Sequence, residues 1–271
     1  MNEKEFQKIT ELIYRKTGIF LEDKKYLTLD KKIEKFMFEK GYQNFRSFFH
    51  DLRFQKSNQL FQGLINLITI NETYFFRENY QFETLINFVL PELDKIRPNN
   101  EVIRILCAPS STGEEPYSIG LHLLKEGSLV EKRDFEIVGI DIDSNVIQRA
   151  KDGIFSKRSV QFVPSHLLRE YFTDLGGGRY QIAEFLREVI DFKVVNIINK
   201  LELKRLGKFD VIFSRNMLIY FDDKSRKEVA MNFYEILKPK GYVFLGHAES
   251  MSRIVSVFKA KKLGESIVYQ K

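Results

Sequence analysis

The sequence predicts an α/β protein in which a small all-helical N-terminal part precedes an open, mainly parallel sheet. Three observations carry this. Apolar residues recur at helical spacing through residues 1–70 without convincing strand alternation. From about residue 100, short apolar runs alternate with helical segments. A glycine run at 176–178 then interrupts that alternation.

In order along the chain, Phe6, Ile9 and Ile13 mark the first helix, and TGIFLED breaks the pattern around Gly18. Leu29, Ile33 and Phe36 resume it until Gly41. Further helices are predicted over 44–52, 59–68 and 78–95, the last ending at the breaker RPNN. VIRILCA (102–108) opens the alternation, followed by a helix over 115–125, EIVGID (136–141) and a helix over 144–151. FDVIFS (209–214), a helix over 223–237 and GYVFLG (241–246) continue it. Such a sequence of elements implies right-handed crossovers and a mainly parallel sheet. In between, GGGRYQIAEFLREVIDFKVVN predicts a hairpin-like insertion, and FKAKKLGESIVYQ predicts an antiparallel hairpin at the sheet edge.

With 271 residues, 44% of them hydrophobic and 25 of them Phe, the chain can build a real core. No apolar run approaches the length of a membrane span, and no signal sequence is evident, so no membrane insertion is expected. A single cysteine, Cys107, excludes an internal disulfide and a Cys-cluster metal site, and the four scattered histidines have no zinc spacing. No metal is expected, and a reducing cytoplasm fits. The net charge of +6 points to an acidic partner: nucleic acid, anionic lipid or acidic protein.

Four segments fall where an open parallel sheet binds ligands, beyond the carboxyl ends of its strands: STGEEP, GIDID, FKVVNI and FSRNMLIYF. In the first, Ser110, Ser111, Thr112 and Gly113 permit close backbone approach, and Pro116 suits a first helical turn. Glu114 and Glu115 sit at the positive end of that helix, where either could be no more than a first-turn residue. Glu114, nearer the loop, is the candidate ligand. Acid at this mouth repels a pyrophosphate, which disfavours a nucleotide-phosphate site. Asp141 ends the second strand, the usual place of an acid on a ribose diol, or else it caps the next helix. Asp143 is the better cap, with Ser144 as the alternative. A ribose without phosphate, and positive charge near Glu114, describes S-adenosylmethionine.

NETYFFRE (71–78), STGEEPYSIG (111–120), GIDID (139–143), FSRNMLIYF (213–221) and GYVFLGHAES (241–250) together resemble the CheR family of chemotaxis protein-glutamate O-methyltransferases, in order and over nearly the whole chain. The resemblance implies a Rossmann-like S-adenosylmethionine-dependent methyltransferase domain at 76–271 and a small all-helical, receptor-contacting N-terminal domain at 1–75. It also implies an antiparallel β-subdomain inserted at about 155–192. Cofactor contacts are implied at Asn71, Thr73, Arg77, Glu114 and Asp141, at Asn196 with Ile197, and at Arg215 with Asn216. The same resemblance puts Tyr220 near the transferred methyl and Arg77 with it in the catalytic centre. S-adenosylhomocysteine would be the product.

The residue types agree with these roles. Asn71 and Thr73 offer amide and hydroxyl groups to a polar ligand, whereas Tyr74, Phe75 and Phe76 are expected in the core. Asn216 follows a buried strand and needs a partner, either a ligand or its own loop. Arg77 and Arg215 either bind the cofactor carboxylate or steer an acidic substrate. A glutamate acceptor, with a reference pKa of about 4.3, is already ionised at neutral pH. Its attack on a sulfonium methyl needs no general base, so Tyr220 is expected to position the acceptor.

KKYLTLDKKIEKFMFEK (24–40) holds six lysines and three acids, with Lys24, Lys31 and Lys35 near one helical face and Lys32 beside them. Alone this reads as a solvated face. In the family a basic helix here contacts the receptor's methylation helices, which implies substrate contact at Lys31, Lys32 and Lys35. Phe38 stands where the family has a further arginine. TDLGGGRYQ is shorter than the loop of members that tether to a receptor C-terminal pentapeptide, so no pentapeptide binding is expected. The chain is thus expected to be a cytoplasmic monomer whose partners are chemoreceptor helices. A nucleic-acid methyltransferase is the rival, disfavoured because SRNMLIY lacks the Asn/Asp-Pro-Pro-aromatic motif and no aromatic-interleaved basic stripe exists. A non-catalytic S-adenosylmethionine sensor of the same fold is the second alternative.

Overall fold

The computed structural model describes residues 1–21, 26–54, 58–126 and 130–271. Its first 68 residues build four helices: α1 (Glu3–Thr17), α2 (Tyr26–Glu39), α3 (Phe45–Phe54) and α4 (Gln59–Ile68). Asn2 and Glu5 form a reciprocal capping box at the start of α1, and Gly18 ends it at a φ of 71°. Ile9, Ile13, Ile33, Phe48 and Leu64 are fully buried at the centre of this unit. Burial of each such side chain stabilises by roughly 1.5–3 kcal/mol. Phe6, Ile9, Ile13, Ile33 and Phe36, read at helical spacing, are buried as expected.

A sharp turn links this unit to the sheet. Phe76 and Glu78 have φ of 61° and 53°, so the expected helix starts at Asn79 rather than Glu78. It runs as α5 (Asn79–Thr84), widens to a π turn over Leu85–Val89, and continues as α6 (Leu90–Ile96). The widened turn ends two residues before Pro91, whose missing N–H and bulky ring break the regular ladder.

The large sheet contains β1 (Ile103–Cys107), β2 (Phe135–Asp141), β6 (Ile190–Val194), β7 (Phe209–Ser214), β8 (Leu237–Leu245), β9 (Lys259–Leu263) and β10 (Ser266–Gln270), in the order β6-β2-β1-β7-β8-β10-β9. The first five run parallel, β10 is antiparallel to β8, and β9 pairs antiparallel with β10. Strand order therefore reverses at β1, where a ligand crevice is expected beyond the strand ends. Helices α7 (Glu114–Lys125), α8 (Ser144–Asp152), α11 (Lys200–Arg205) and α12 (Asp223–Ile236) complete the crossovers. All of β7 is buried, and Phe213 stacks on Phe244 with ring centroids 4.3 Å apart.

The insertion is richer than the sequence implied. β3 (Ile154–Ser156), β4 (Phe172–Gly176) and β5 (Arg179–Ile182) form a separate antiparallel sheet, with α9 (Ser165–Tyr171) before β4. Gly176, Gly177 and Gly178 all take positive φ in the tight β4–β5 turn. EFLREV is not β-structure but α10 (Glu184–Val189), which buries Leu186, and IDFKV is β6 of the large sheet. The glycine run marks a hairpin, but the return to the main sheet begins earlier than the glycine-to-asparagine stretch indicated. Among the described residues, no helix is long and apolar enough to cross a membrane.

Candidate functional site

Beyond the carboxyl ends of β1, β2, β6 and β7 lies a cavity of about 340 Å³. Its walls come from the end of α1 and the residues after it (Thr17, Ile19, Leu21), the segment 68–77, the β1–α7 loop, the end of β2, residues 195–197 and the loop after β7. Asn71, Thr73, Arg77, Asp141, Asn196, Ile197, Arg215, Asn216 and Tyr220 all line it. Residues as far apart in sequence as 71 and 220 thus meet at one place, as the strand-end rule requires.

Glu114 does not line the cavity; Glu115 does. Glu114 is 3% exposed and accepts hydrogen bonds from Thr112 Oγ1 at 2.6 Å and from Ser159 Oγ at 2.7 Å. Burial raises its pKa, which these two bonds oppose. Its carboxylate ties α7 to the segment after β3, so the sequence-based choice of the first glutamate as ligand does not match its geometry. The reason is helical phase: adjacent residues point about 100° apart, and packing against Ser159 turns Glu114 away. Glu115 faces the strand ends. Its Oε2 lies 3.0 Å from Arg215 Nη1, while Oε1 is buried without a hydrogen-bond partner among the described residues. Burial raises the pKa of Glu115, and Arg215 opposes that rise.

Asp141 is 6% exposed and accepts from Ser111 N and Asp143 N, each at 3.0 Å. Burial pushes its pKa up to about 6, although both amides favour the ionised form. Asp143 is the helix cap: its Oδ1 accepts from Asn145 N and Val146 N. Its Oδ2 takes Thr69 Oγ1 at 2.6 Å and Asn71 Nδ2 at 2.8 Å, which ties the helical unit to the site. The Asn196 side chain is spent internally, donating to Lys16 O and accepting from Ile198 N.

Arg215 is 6% exposed; its Nη2 donates to Arg77 O at 2.6 Å and lies 3.4 Å from Glu78, so it is held in place on several sides. Arg77 donates to Glu72 O and lies over the Tyr74 ring. Tyr220 closes a 3₁₀ turn (Leu218–Tyr220), and its carbonyl accepts from Phe20 N at 2.9 Å. Burial raises the phenol pKa, partly countered by the Arg77 charge, so the hydroxyl stays protonated at neutral pH. Of the three aromatic residues expected in the core, Phe75 is fully buried, Phe76 is half-buried and Tyr74 is on the cavity wall. Glu249, to which sequence reasoning gave no role, accepts from Asn216 N, Leu218 N and Gly246 N. Lys31, Lys32 and Lys35 are exposed on α2, away from the cavity wall, and Lys24 lies outside the described residues.

The family model described as CheR methyltransferase, SAM binding domain, matches residues 71–267, and that described as CheR methyltransferase, all-alpha domain, matches residues 4–69. The chain belongs to the CheR methyltransferases. It is 45% identical to chemotaxis protein methyltransferase 2 of Vibrio cholerae over 98% of this chain and 92% of that protein. It is 34% identical to the chemotaxis protein methyltransferase of Borreliella burgdorferi, covering 91% of this chain and 88% of that one. The Escherichia coli chemotaxis protein methyltransferase is 31% identical, with 94% and 87% covered.

The cofactor of this CheR methyltransferase is S-adenosylmethionine, and the cavity chemistry fits it. Ser110 Oγ, Ser111 Oγ, Glu115 Oε1 and Arg215 Nε are buried side-chain atoms without hydrogen-bond partners among the described residues. Buried polar groups in that state are costly and call for a ligand with both donors and acceptors. Two carboxylates, Glu115 and Asp141, with the Arg215 guanidinium between the loops, suit a zwitterionic tail and a ribose better than a phosphate.

Proposed function

We propose that this chain transfers the methyl group of S-adenosylmethionine to glutamate side-chain carboxylates on the cytoplasmic helices of chemoreceptors, giving methyl esters and S-adenosylhomocysteine. The observation that carries the reading is that Tyr220 and Arg77 share one cavity wall with the carboxylates Glu115 and Asp141. The relatives named as chemotaxis protein methyltransferases support a protein substrate that serves chemotaxis. In this assignment Glu115 replaces Glu114 as the residue facing the cofactor's ammonium, and Asp141 takes the ribose hydroxyls. Asn71, Thr73, Asn196, Ile197 and Asn216 complete the wall, and Arg215 serves the cofactor carboxylate.

When bound, the cofactor supplies an electrophilic methyl group on a sulfonium. The protein's part is to strip water from an ionised acceptor carboxylate and hold one oxygen in line. Charge disappears from both reactants in this transfer, so an apolar wall of Ile19, Ile68 and Phe221 favours the transition state. Tyr220, protonated and neutral, orients the acceptor by hydrogen bonding without quenching its nucleophilicity as a close cation would. Arg77, held by Glu72 O and the Tyr74 ring, attracts the acid to the mouth. Exposed Lys31, Lys32 and Lys35 engage the acidic receptor helix outside the cavity. The tight β4–β5 turn supports an enzyme that works without the receptor pentapeptide, and the reading places it in the cytoplasm as a monomer on the receptor bundle. Labelled methyl transfer to receptor-bearing membranes, with release of the label by mild base, tests the proposal; base-stable label would oppose it.

A further inference from the structure

We infer that Glu249 is a positioning residue for the methyl transfer, its carboxylate clamping the loop that carries Arg215, Asn216 and Tyr220 to the loop after β8. The inference rests on the methyltransferase reading of the cavity. Three backbone amides from two loops converge on this one side chain. Asn216 N and Gly246 N donate to Oε2 at 2.9 Å each, and Leu218 N donates to Oε1 at 2.8 Å. Glu249 is not on the cavity wall, so it acts through the loop and not on the reactants.

Each bond fixes something the site needs. Asn216 holds a φ of 57°, a left-handed conformation that asparagine tolerates better than other side chains and that the Glu249 contact helps to hold. Leu218 N is the first amide of the turn Leu218–Tyr220, so Oε1 anchors the base of the turn that presents Tyr220. Gly246 allows the two loops to close: a Cβ there would lie 2.9 Å from both Asn216 N and Glu249 Oε2. The chemistry demands a carboxylate, because both of its oxygens only accept. Glutamine would turn an NH₂ donor toward one of the amides.

Two variants test the clamp, Glu249→Gln, which keeps the shape, and Gly246→Ala, which keeps the carboxylate but wedges the loops apart. Amide exchange of residues 216 and 218 is read on the ligand-free chain, together with the melting temperature. Turnover, receptor KM and S-adenosylhomocysteine affinity follow. The clamp predicts exchange faster by at least about tenfold at whichever of the two amides faces the glutamine NH₂ in Glu249→Gln, and at both amides in Gly246→Ala, where the loops are pushed away from the carboxylate. It also predicts a kcat lower by about ten- to a hundredfold, as an ångström-scale misplacement gives, with a smaller change in product affinity. Exchange unchanged at residues 216 and 218, or kcat per folded molecule kept within about twofold while melting temperature falls, would overturn it. Because exchange is measured without ligand, it decides the clamp even where the wild-type chain transfers no methyl group, an outcome that would sink the reading of the cavity instead.

Discussion

Replacing Glu115 with glutamine separates two adjacent glutamates by function. Glu115 Oε2 is paired with Arg215 at 3.0 Å, but Oε1 is buried with no strong donor, so it has a full lone-pair capacity for a ligand cation. A hydrogen bond to a charged group contributes about 1.5–3 kcal/mol. At about 1.4 kcal/mol per decade, its loss weakens S-adenosylhomocysteine binding by roughly ten- to a hundredfold. Glutamine is isosteric, and Arg215 keeps Glu78 and Arg77 O as partners, so the cavity shape persists. Glu114→Gln is the control. Its partners are the hydroxyls of Thr112 and Ser159, which can rotate to accept as well as donate. It should cost about 1 kcal/mol of stability and change affinity by less than about twofold. Isothermal titration with S-adenosylhomocysteine near neutral pH, paired with thermal melting, measures both. An affinity unchanged in Glu115→Gln, or weakened more by Glu114→Gln, refutes the assignment.

Asp141 makes the ligand-free chain and the complex respond oppositely to pH. Its folded pKa of about 6 is raised above the ordinary 3.8 by burial, so the folded state holds the proton more tightly. Stability linked to this group is therefore full below about pH 4 and declines by roughly 3 kcal/mol as pH rises through about 6. Ribose hydroxyls donating to the ionised form should strengthen product binding over the same window, levelling above about pH 7; affinity that stays flat or falls contradicts the role, as does Asp141→Asn keeping the rise. Tyr220→Phe should lower kcat about tenfold while product affinity stays within about twofold, and a large affinity loss would make Tyr220 a cofactor residue. Charge reversal at Lys31 and Lys32 should raise KM for receptor membranes, more so at low salt, and leave cofactor affinity alone, because both side chains are exposed and outside the cavity. A salt-independent effect on kcat would refute steering.

The site was legible because its residues sit at strand ends, a position that apolar runs reveal. VIRILCA, EIVGID and FDVIFS announce β1, β2 and β7, and the residues following them converge on one cavity. What stayed hidden depends on distant packing. The choice between Glu114 and Glu115 turns on the azimuth of α7, which Ser159 fixes from 45 residues away. Glu249 meets the amides of Asn216 and Leu218 across more than 30 residues, and no local pattern encodes backbone donors. The start of β6 falls inside the expected insertion of about 155–192, although FKVVNI marks its end, because IDFKV alternates on a sheet edge, is buried only at Ile190 and Phe192, and so resembles a hairpin strand more than a buried parallel one. β3 is three residues long, too short for periodicity to show.

The central claim is the chemical identity of the acceptor. The full chain is incubated with methyl-labelled S-adenosylmethionine and membranes bearing a chemoreceptor, and the labelled peptide is identified by mass spectrometry. Glutamate methyl esters on a cytoplasmic receptor helix, released as methanol by mild base and absent with Glu115→Gln at low cofactor concentration, are the predicted result. Label that survives base, or that enters nucleic acid and no protein, would contradict the account.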